Sequence, residues 1–243
     1  MGNKIIVANW KMNGSAELVD KISNIFNDSF DTKSKEIIIC PSYIHIESLI
    51  RNNINKKFYV GAQNCCDKAS GAFTGEVSAD MLKNLGCSHV IVGHSERREN
   101  YLESNELLKN KLSEAIKNNL IPIYCCGENE SERKNGTCFN KIEEQLDVLF
   151  DVEALKSIII AYEPIWSIGT NKTPDDKEIK DMHIYIKNYL MKKISSNNIS
   201  ILYGGSVNPE NANRILKISE VDGVLVGGAS LSTEKFKLIC NTI

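Results

Sequence analysis

An apolar run at residues 157–162 stops at a single carboxylate, Glu163, and the chain turns at once into Pro164-Ile165-Trp166-Ser167-Ile168-Gly169-Thr170. A carboxylate partly desolvated at a strand end is expected to have a raised proton affinity, which suits it to act as a base toward carbon. The loop behind it, running from proline to glycine with a tryptophan, has the form of a lid. Four further segments share this pattern of strand end followed by groups that can do chemistry. Asn9 and Lys11 follow an apolar run at residues 5–8, where a lysine can hold its ammonium over an anionic substrate. His94 follows the run at 89–92, at the expected start of a helix with Ser95 as N-cap and Glu96 and Glu99 in the first turn. The positive end of a helix disfavours imidazolium, so His94 is expected to be neutral and able to donate a hydrogen bond to a carbonyl. Gly204-Gly205 before Ser206 and Gly227-Gly228 before Ala229 complete the set. Paired glycines let backbone N–H groups approach an oxyanion closely.

Taken singly, each group has a plainer reading. Lys11 reads equally as a solvated loop lysine, His94 as a structural histidine, Glu163 as a buried ion-pair partner, and the glycine pairs as tight turns. On one rim, a cation, a neutral acid, a base and a phosphate cradle would perform proton transfer next to a carbonyl in a small phosphorylated compound. There is no Cys-x-x-Cys, no Cys/His set at zinc spacing and no nucleophile beside a base, so neither metal nor cofactor is expected. His45, His89 and His183 lack catalytic companions and read as structural or surface residues.

A rim requires a barrel, and the chain has the elements of one. Short apolar runs recur at residues 5–8, 36–40, 58–62, 89–92, 121–125, 157–162, 200–203 and 223–226. Each is nearly continuous in hydrophobicity, as parallel strands buried on both faces must be. Helical periodicity lies between them, at residues 104–116 and at 174–194, where Ile179, Met182, Ile186, Tyr189 and Leu190 share a stripe. Asn208-Pro209-Glu210 has proline at the first helical position. Eight strand-then-helix units of about thirty residues predict a right-handed (β/α)8 barrel with a parallel eight-stranded core, one domain over residues 1–243. A doubly wound open sheet is the alternative. It would usually carry a glycine-rich dinucleotide turn after the first strand, and Asn9-Trp10-Lys11-Met12-Asn13-Gly14 is not one.

The 243 residues are 42% hydrophobic and 25% charged, with a formal net charge of −2, which favours neither nucleic acid nor an anionic membrane as partner. Anion binding must then be local. The eight cysteines include the adjacent pairs Cys65-Cys66 and Cys125-Cys126 and read as reduced thiols. With no secretory signal in the first residues and no membrane-length apolar run, a cytoplasmic location is expected.

The chain resembles the triosephosphate isomerases along essentially its whole length. The resemblance rests on Val7-Ala8-Asn9-Trp10-Lys11-Met12-Asn13, Gly61-Ala62-Gln63-Asn64, Gly71-Ala72-Phe73-Thr74-Gly75-Glu76 and Val92-Gly93-His94-Ser95-Glu96-Arg97-Arg98. The Glu163 segment, Tyr203-Gly204-Gly205-Ser206-Val207 and Val226-Gly227-Gly228-Ala229-Ser230-Leu231 follow in the same order. The fold it implies is the TIM barrel, and the roles it implies are that family's own. Glu163 would be the base on dihydroxyacetone phosphate and His94 the electrophile, with Lys11 and Asn9 on the enediolate oxygen and Glu96 orienting its neighbours. The phosphate would lie on the N–H groups of Gly169, Ser206, Gly227 and Gly228, under a lid at residues 164–172. The resemblance also implies a homodimer in which the long connection at 64–76 reaches a second subunit, with Cys65 and Cys66 at the interface and Thr74 near the partner's site. Three positions depart from the family pattern: Ser167 for alanine, Asn171 for glycine and Cys126 for a β-branched residue. Other phosphate-binding barrels would share the glycine turns but are not expected to join Asn9, Lys11, His94 and Glu163. A barrel that has lost catalysis would be expected to lack one of Lys11, His94 and Glu163.

Overall fold

Eight short strands carry the apolar runs: β1 (Lys4–Asn9), β2 (Lys35–Cys40), β3 (Tyr59–Ala62), β4 (His89–Val92), β5 (Ile121–Cys126), β6 (Ile158–Tyr162), β7 (Ile199–Tyr203) and β8 (Gly223–Val226). In the computed structural model, which describes residues 3–27, 30–170, 172–194 and 198–242, each strand pairs in parallel with the next and β8 closes on β1. This is the expected (β/α)8 barrel, with every strand within one residue of its expected limits. Asn171 lies outside the described residues. No helix among them is long and apolar enough to cross a membrane.

Strand alternation divides the core in two. Ile5, Val7, Ile38, Cys40, Ile91, Ile123, Cys125, Ile159, Ala161, Leu202 and Leu225 form one cluster, which we read as the barrel interior. Their neighbours, such as Ile6, Ala8, Ile39, Val92, Ile160 and Val226, join the larger layer beneath the helices. Cys126 belongs to that outer layer, so its departure from the family pattern is a core change. Successive residues of a strand face opposite ways, so the inward register continues from Val7 to Asn9, from Ala161 to Glu163 and from Leu225 to Gly227. The alternation that fills the interior therefore also aims these residues at the mouth.

The helices are α1 (Ala16–Asn27), α2 (Tyr43–Asn52), α3 (Ala79–Leu85), α4 (Ser95–Asn100), α5 (Asn105–Lys117), α6 (Glu130–Lys134), α7 (Cys138–Leu146), α8 (Asp176–Met191), α9 (Pro209–Leu216) and α10 (Thr233–Cys240). The simple pattern of one helix per strand is broken twice. Leu102 takes a left-handed conformation after α4, and Ser104 then starts α5 by accepting from the Leu107 N–H at 3.2 Å. Asn129 and Glu132 cap α6 reciprocally, and Gly136 separates it from α7. Helix α8 is shorter than its periodicity suggests, because Asp175 and Glu178 form a capping box that fixes its start. Helix α9 begins as expected, with Asn208 as N-cap and Pro209 at the first position.

Candidate active site

At the C-terminal mouth of the barrel a cavity of about 440 Å³ is lined by Asn9, Lys11, His94, Glu163, Gly169, Ser206, Gly227 and Gly228, among others. Glu96 lies on an adjoining cavity of about 500 Å³ that shares Asn9, Lys11 and His94. The catalytic and phosphate-binding residues expected from the sequence thus fall on two connected hollows.

Glu163 and His94 face each other. Glu163 is buried, its backbone N–H donating to the Cys126 carbonyl at 2.8 Å across the β5–β6 pair. One carboxylate oxygen, Oε1, lies 3.0 Å from His94 Nε2, and Oε2 accepts from the Ser95 N–H at 2.9 Å. The helix start is one residue earlier than expected. His94 is itself the N-cap of α4, its Nδ1 accepting from the Glu96 N–H at 3.2 Å, while Ser95 is already helical and turns its N–H to Glu163. The Glu96 N–H at Nδ1 favours the neutral ring expected from the helix position, whereas the Glu163 carboxylate at Nε2 pulls the ring toward imidazolium.

The charge balance differs from the sequence expectation for Glu163. Burial pushes its carboxyl pKa up, but the His94 charge and hydrogen bond and the Ser95 N–H outweigh burial, and the net direction is down. At His94 burial pulls the pKa down, while the Glu163 charge and hydrogen bond pull it up more strongly. The expected raised proton affinity of Glu163 is therefore corrected by the partner that the barrel places against it.

Lys11 sits at the end of β1 in a left-handed backbone conformation, φ 52°. Such strain persists where surrounding bonds over-determine it, and here they do. The Lys11 N–H donates to Asn9 Oδ1 at 3.0 Å. Its carbonyl accepts from Gln63 Nε2 at 2.8 Å and from Ser42 Oγ at 3.0 Å. The ammonium pairs with Glu96 Oε1 at 2.5 Å. Gln63 also donates to the Cys40 carbonyl, so it ties the ends of β1 and β2 together. Arg98 does the same for β4 and β5, donating to the Gly93 and Cys125 carbonyls and to Tyr124 Oη.

The 3-10 turn Ile165–Ser167, at the start of the expected lid, is anchored by a residue that the sequence did not single out. Glu128, fully buried just beyond β5, accepts from Tyr162 Oη and from Trp166 Nε1, both at 3.0 Å. Burial raises its pKa against the opposing pull of the Trp166 bond and the Arg133 charge. Arg133 also stacks its guanidinium over Trp166 at 5.8 Å. The only signal in the sequence is a carboxylate after Cys126-Gly127, another strand end. On the opposite wall, Ser167 Oγ lies 3.3 Å from Tyr203 Oη and accepts from the Ser206 N–H at 3.4 Å.

Of the residues expected at or near a dimer interface, Thr74 and Cys65 differ in exposure, and Cys66 is buried like Cys65. Thr74 is exposed on its loop. Cys65 is buried within its own chain, its thiol directed at the Lys111 carbonyl and pushed by burial up to about 12. Cys65 therefore presents no exposed thiol on this chain.

The family model described as triosephosphate isomerase matches residues 4–243. A protein of Cytophaga hutchinsonii named triosephosphate isomerase is 42% identical over 246 residues, covering 97% of each chain. Its namesake from Dictyostelium discoideum is 44% identical over 234 residues, covering 94% of this chain and 91% of its own. That of Colwellia psychrerythraea is 39% identical over 98% of this chain. Strand register, site geometry and full-length similarity agree: the chain belongs to the triosephosphate isomerase family and is an enzyme of that class.

Proposed function

We propose that the chain interconverts dihydroxyacetone phosphate and D-glyceraldehyde 3-phosphate through an enediolate, serving glycolysis and gluconeogenesis in the cytoplasm. The observation that carries this reading is the 3.0 Å contact between Glu163 and His94, on one cavity with Lys11 and the glycine turns. The substrate carbonyl takes the Nε2–H of His94, and that exchange acts on the base as well. Glu163 loses the bond that depresses its pKa while its burial persists, so its proton affinity rises when the C–H bond is presented to it. Glu163 removes the proton from the hydroxyl-bearing carbon and returns it to the neighbouring carbon. His94 moves protons between the two oxygens, and Lys11 and Asn9 stabilise the enediolate oxygen. Glu96 holds the Lys11 ammonium, and its N–H holds the His94 ring.

The phosphate lies on the N–H groups of Gly169, Ser206, Gly227 and Gly228. An exposed enediolate phosphate readily loses its phosphate, and a lid at residues 164–172 protects it by excluding water. We read residues 1–243 as one domain that works as a homodimer. Met12, Ile44 and Leu102, exposed at 95%, 82% and 82%, and the loop bearing Phe73 and Thr74 offer apolar surface for that association.

A coupled assay of the purified protein, without metal or added cofactor, tests the reaction. Rapid conversion of either triose phosphate is the expected result. A folded protein without turnover would replace this reading with a phosphate-binding barrel that has lost catalysis.

A further inference from the structure

Ser167 stands four residues beyond the base, where the family resemblance leads one to expect alanine. It ends the short 3-10 turn Ile165–Ser167 and is fully buried. An alanine there would be inert, but the hydroxyl is engaged on two sides. It accepts from the Ser206 N–H at 3.4 Å and lies 3.3 Å from Tyr203 Oη. The wall behind it leaves little room: a Cβ added at Gly205 would stand 2.3 Å from Tyr203 Oη and 2.9 Å from Ser167 Oγ.

We infer that the Ser167 hydroxyl and the phosphate group of the substrate compete for the Ser206 N–H, making Ser167 a positioning residue that couples phosphate binding to movement of the lid's first turn. The inference rests on the reading above that Ser206 lies in the phosphate site. A backbone N–H has one hydrogen and serves one strong acceptor at a time. A neutral hydroxyl at 3.4 Å is a long, weak acceptor, whereas a phosphate oxygen is charged and draws the donor closer. The phosphate therefore wins the N–H. Ser167 keeps Tyr203 as its remaining partner, and its tie to the strand-seven loop is cut. Lid and phosphate loop are latched by the group that the ligand replaces.

The test is titration of the enzyme with inorganic phosphate, read both as competitive inhibition of turnover and as the shift of the Ser206 amide resonance. In the unsubstituted protein the resonance must move on addition of phosphate; a static resonance overturns the phosphate-site reading and this inference with it. Ser167→Ala removes the competitor, so phosphate should bind roughly twofold to tenfold more tightly, the scale of one neutral hydrogen bond. Ser167→Cys keeps the side-chain size with a poor acceptor, and it serves as the second variant if alanine disturbs folding. Tighter phosphate in either variant supports the competition. Unchanged or weaker binding, with the Ser206 resonance still responsive, overturns the competition and leaves the phosphate site standing.

Discussion

Glu163 is held by two donors that keep a buried carboxylate ionised at rest, and in the proposed reaction substrate takes the His94 donor and leaves the carboxylate more basic. His94 Nε2 and the Ser95 N–H hold its two oxygens and keep its pKa low against the pull of burial. Lys11 is held by comparable redundancy, with its carbonyl clamped twice and its ammonium on Glu96. Lys11→Ala should raise KM and lower kcat so that kcat/KM falls by roughly tenfold to a hundredfold, the scale of a charged hydrogen bond. Steady-state kinetics check this, and an unchanged KM would mean that the ammonium does not meet substrate. At this scale the sequence was legible for residues that follow a strand directly, because the strand's own register aims them. It was not legible for Gln63, Arg98 or Glu128 as clamps, since their partners become neighbours only when the barrel closes. The direction of the Glu163 pKa was missed for the same reason: position suggested burial, while the outcome depended on contact with His94.

At the scale of elements, the β5–β6 seam holds Glu163 in close quarters. A Cβ at Gly127 would fall 1.8 Å from the Glu163 carbonyl oxygen, so only glycine lets the chain after β5 pass the base. Gly127→Ala should cost about 2 kcal/mol or more in stability and displace Glu163, lowering turnover with it. Thermal unfolding and kcat measured together check this, and a variant normal in both would contradict the seam's role. Helix α8 and strand β4 carry buried neutral histidines. Burial, with a smaller contribution from Lys83, lowers the His89 pKa from 6.5 to about 4. Burial lowers His183 to about 4 as well, against the bond to the Glu220 carbonyl. Above pH 6.5 the folded and unfolded states are both neutral at these sites. Between 6.5 and 4 the unfolded chain takes up protons that the folded chain refuses, so stability falls as pH falls, by about 3 kcal/mol for each histidine. His89→Phe should remove roughly half of that two-histidine loss, measured by denaturant unfolding at pH 7 and pH 4.5. An equal loss in both proteins would contradict it. The strands were legible to within a residue because parallel strands buried on both faces read as continuous apolar runs. The split after α4 was not, because it turns on a left-handed Leu102, a residue type with no preference for that conformation.

For the whole molecule, six of the exposed large apolar residues, Met12, Tyr43, Ile44, Phe73, Tyr101 and Leu102, lie in the loops after β1, β3 and α4 and at the start of α2, while others are scattered elsewhere. The proposed dimer would cover Met12, Ile44, Phe73 and Leu102. Sedimentation should give twice the mass of one chain. Phe73→Glu should shift the population toward single chains and reduce turnover, because a charge cannot be buried unpaired at such a contact. A monomeric enzyme of full activity would contradict this. The central claim, that a triose phosphate is isomerised by proton transfer through Glu163, is tested most directly by comparing the unsubstituted enzyme with Glu163→Gln in the same isomerase assay, with inorganic phosphate affinity measured on both. The account predicts that turnover falls by roughly a hundredfold or more, the scale of losing a positioned base, while phosphate affinity changes little. Near-normal turnover in Glu163→Gln would contradict it.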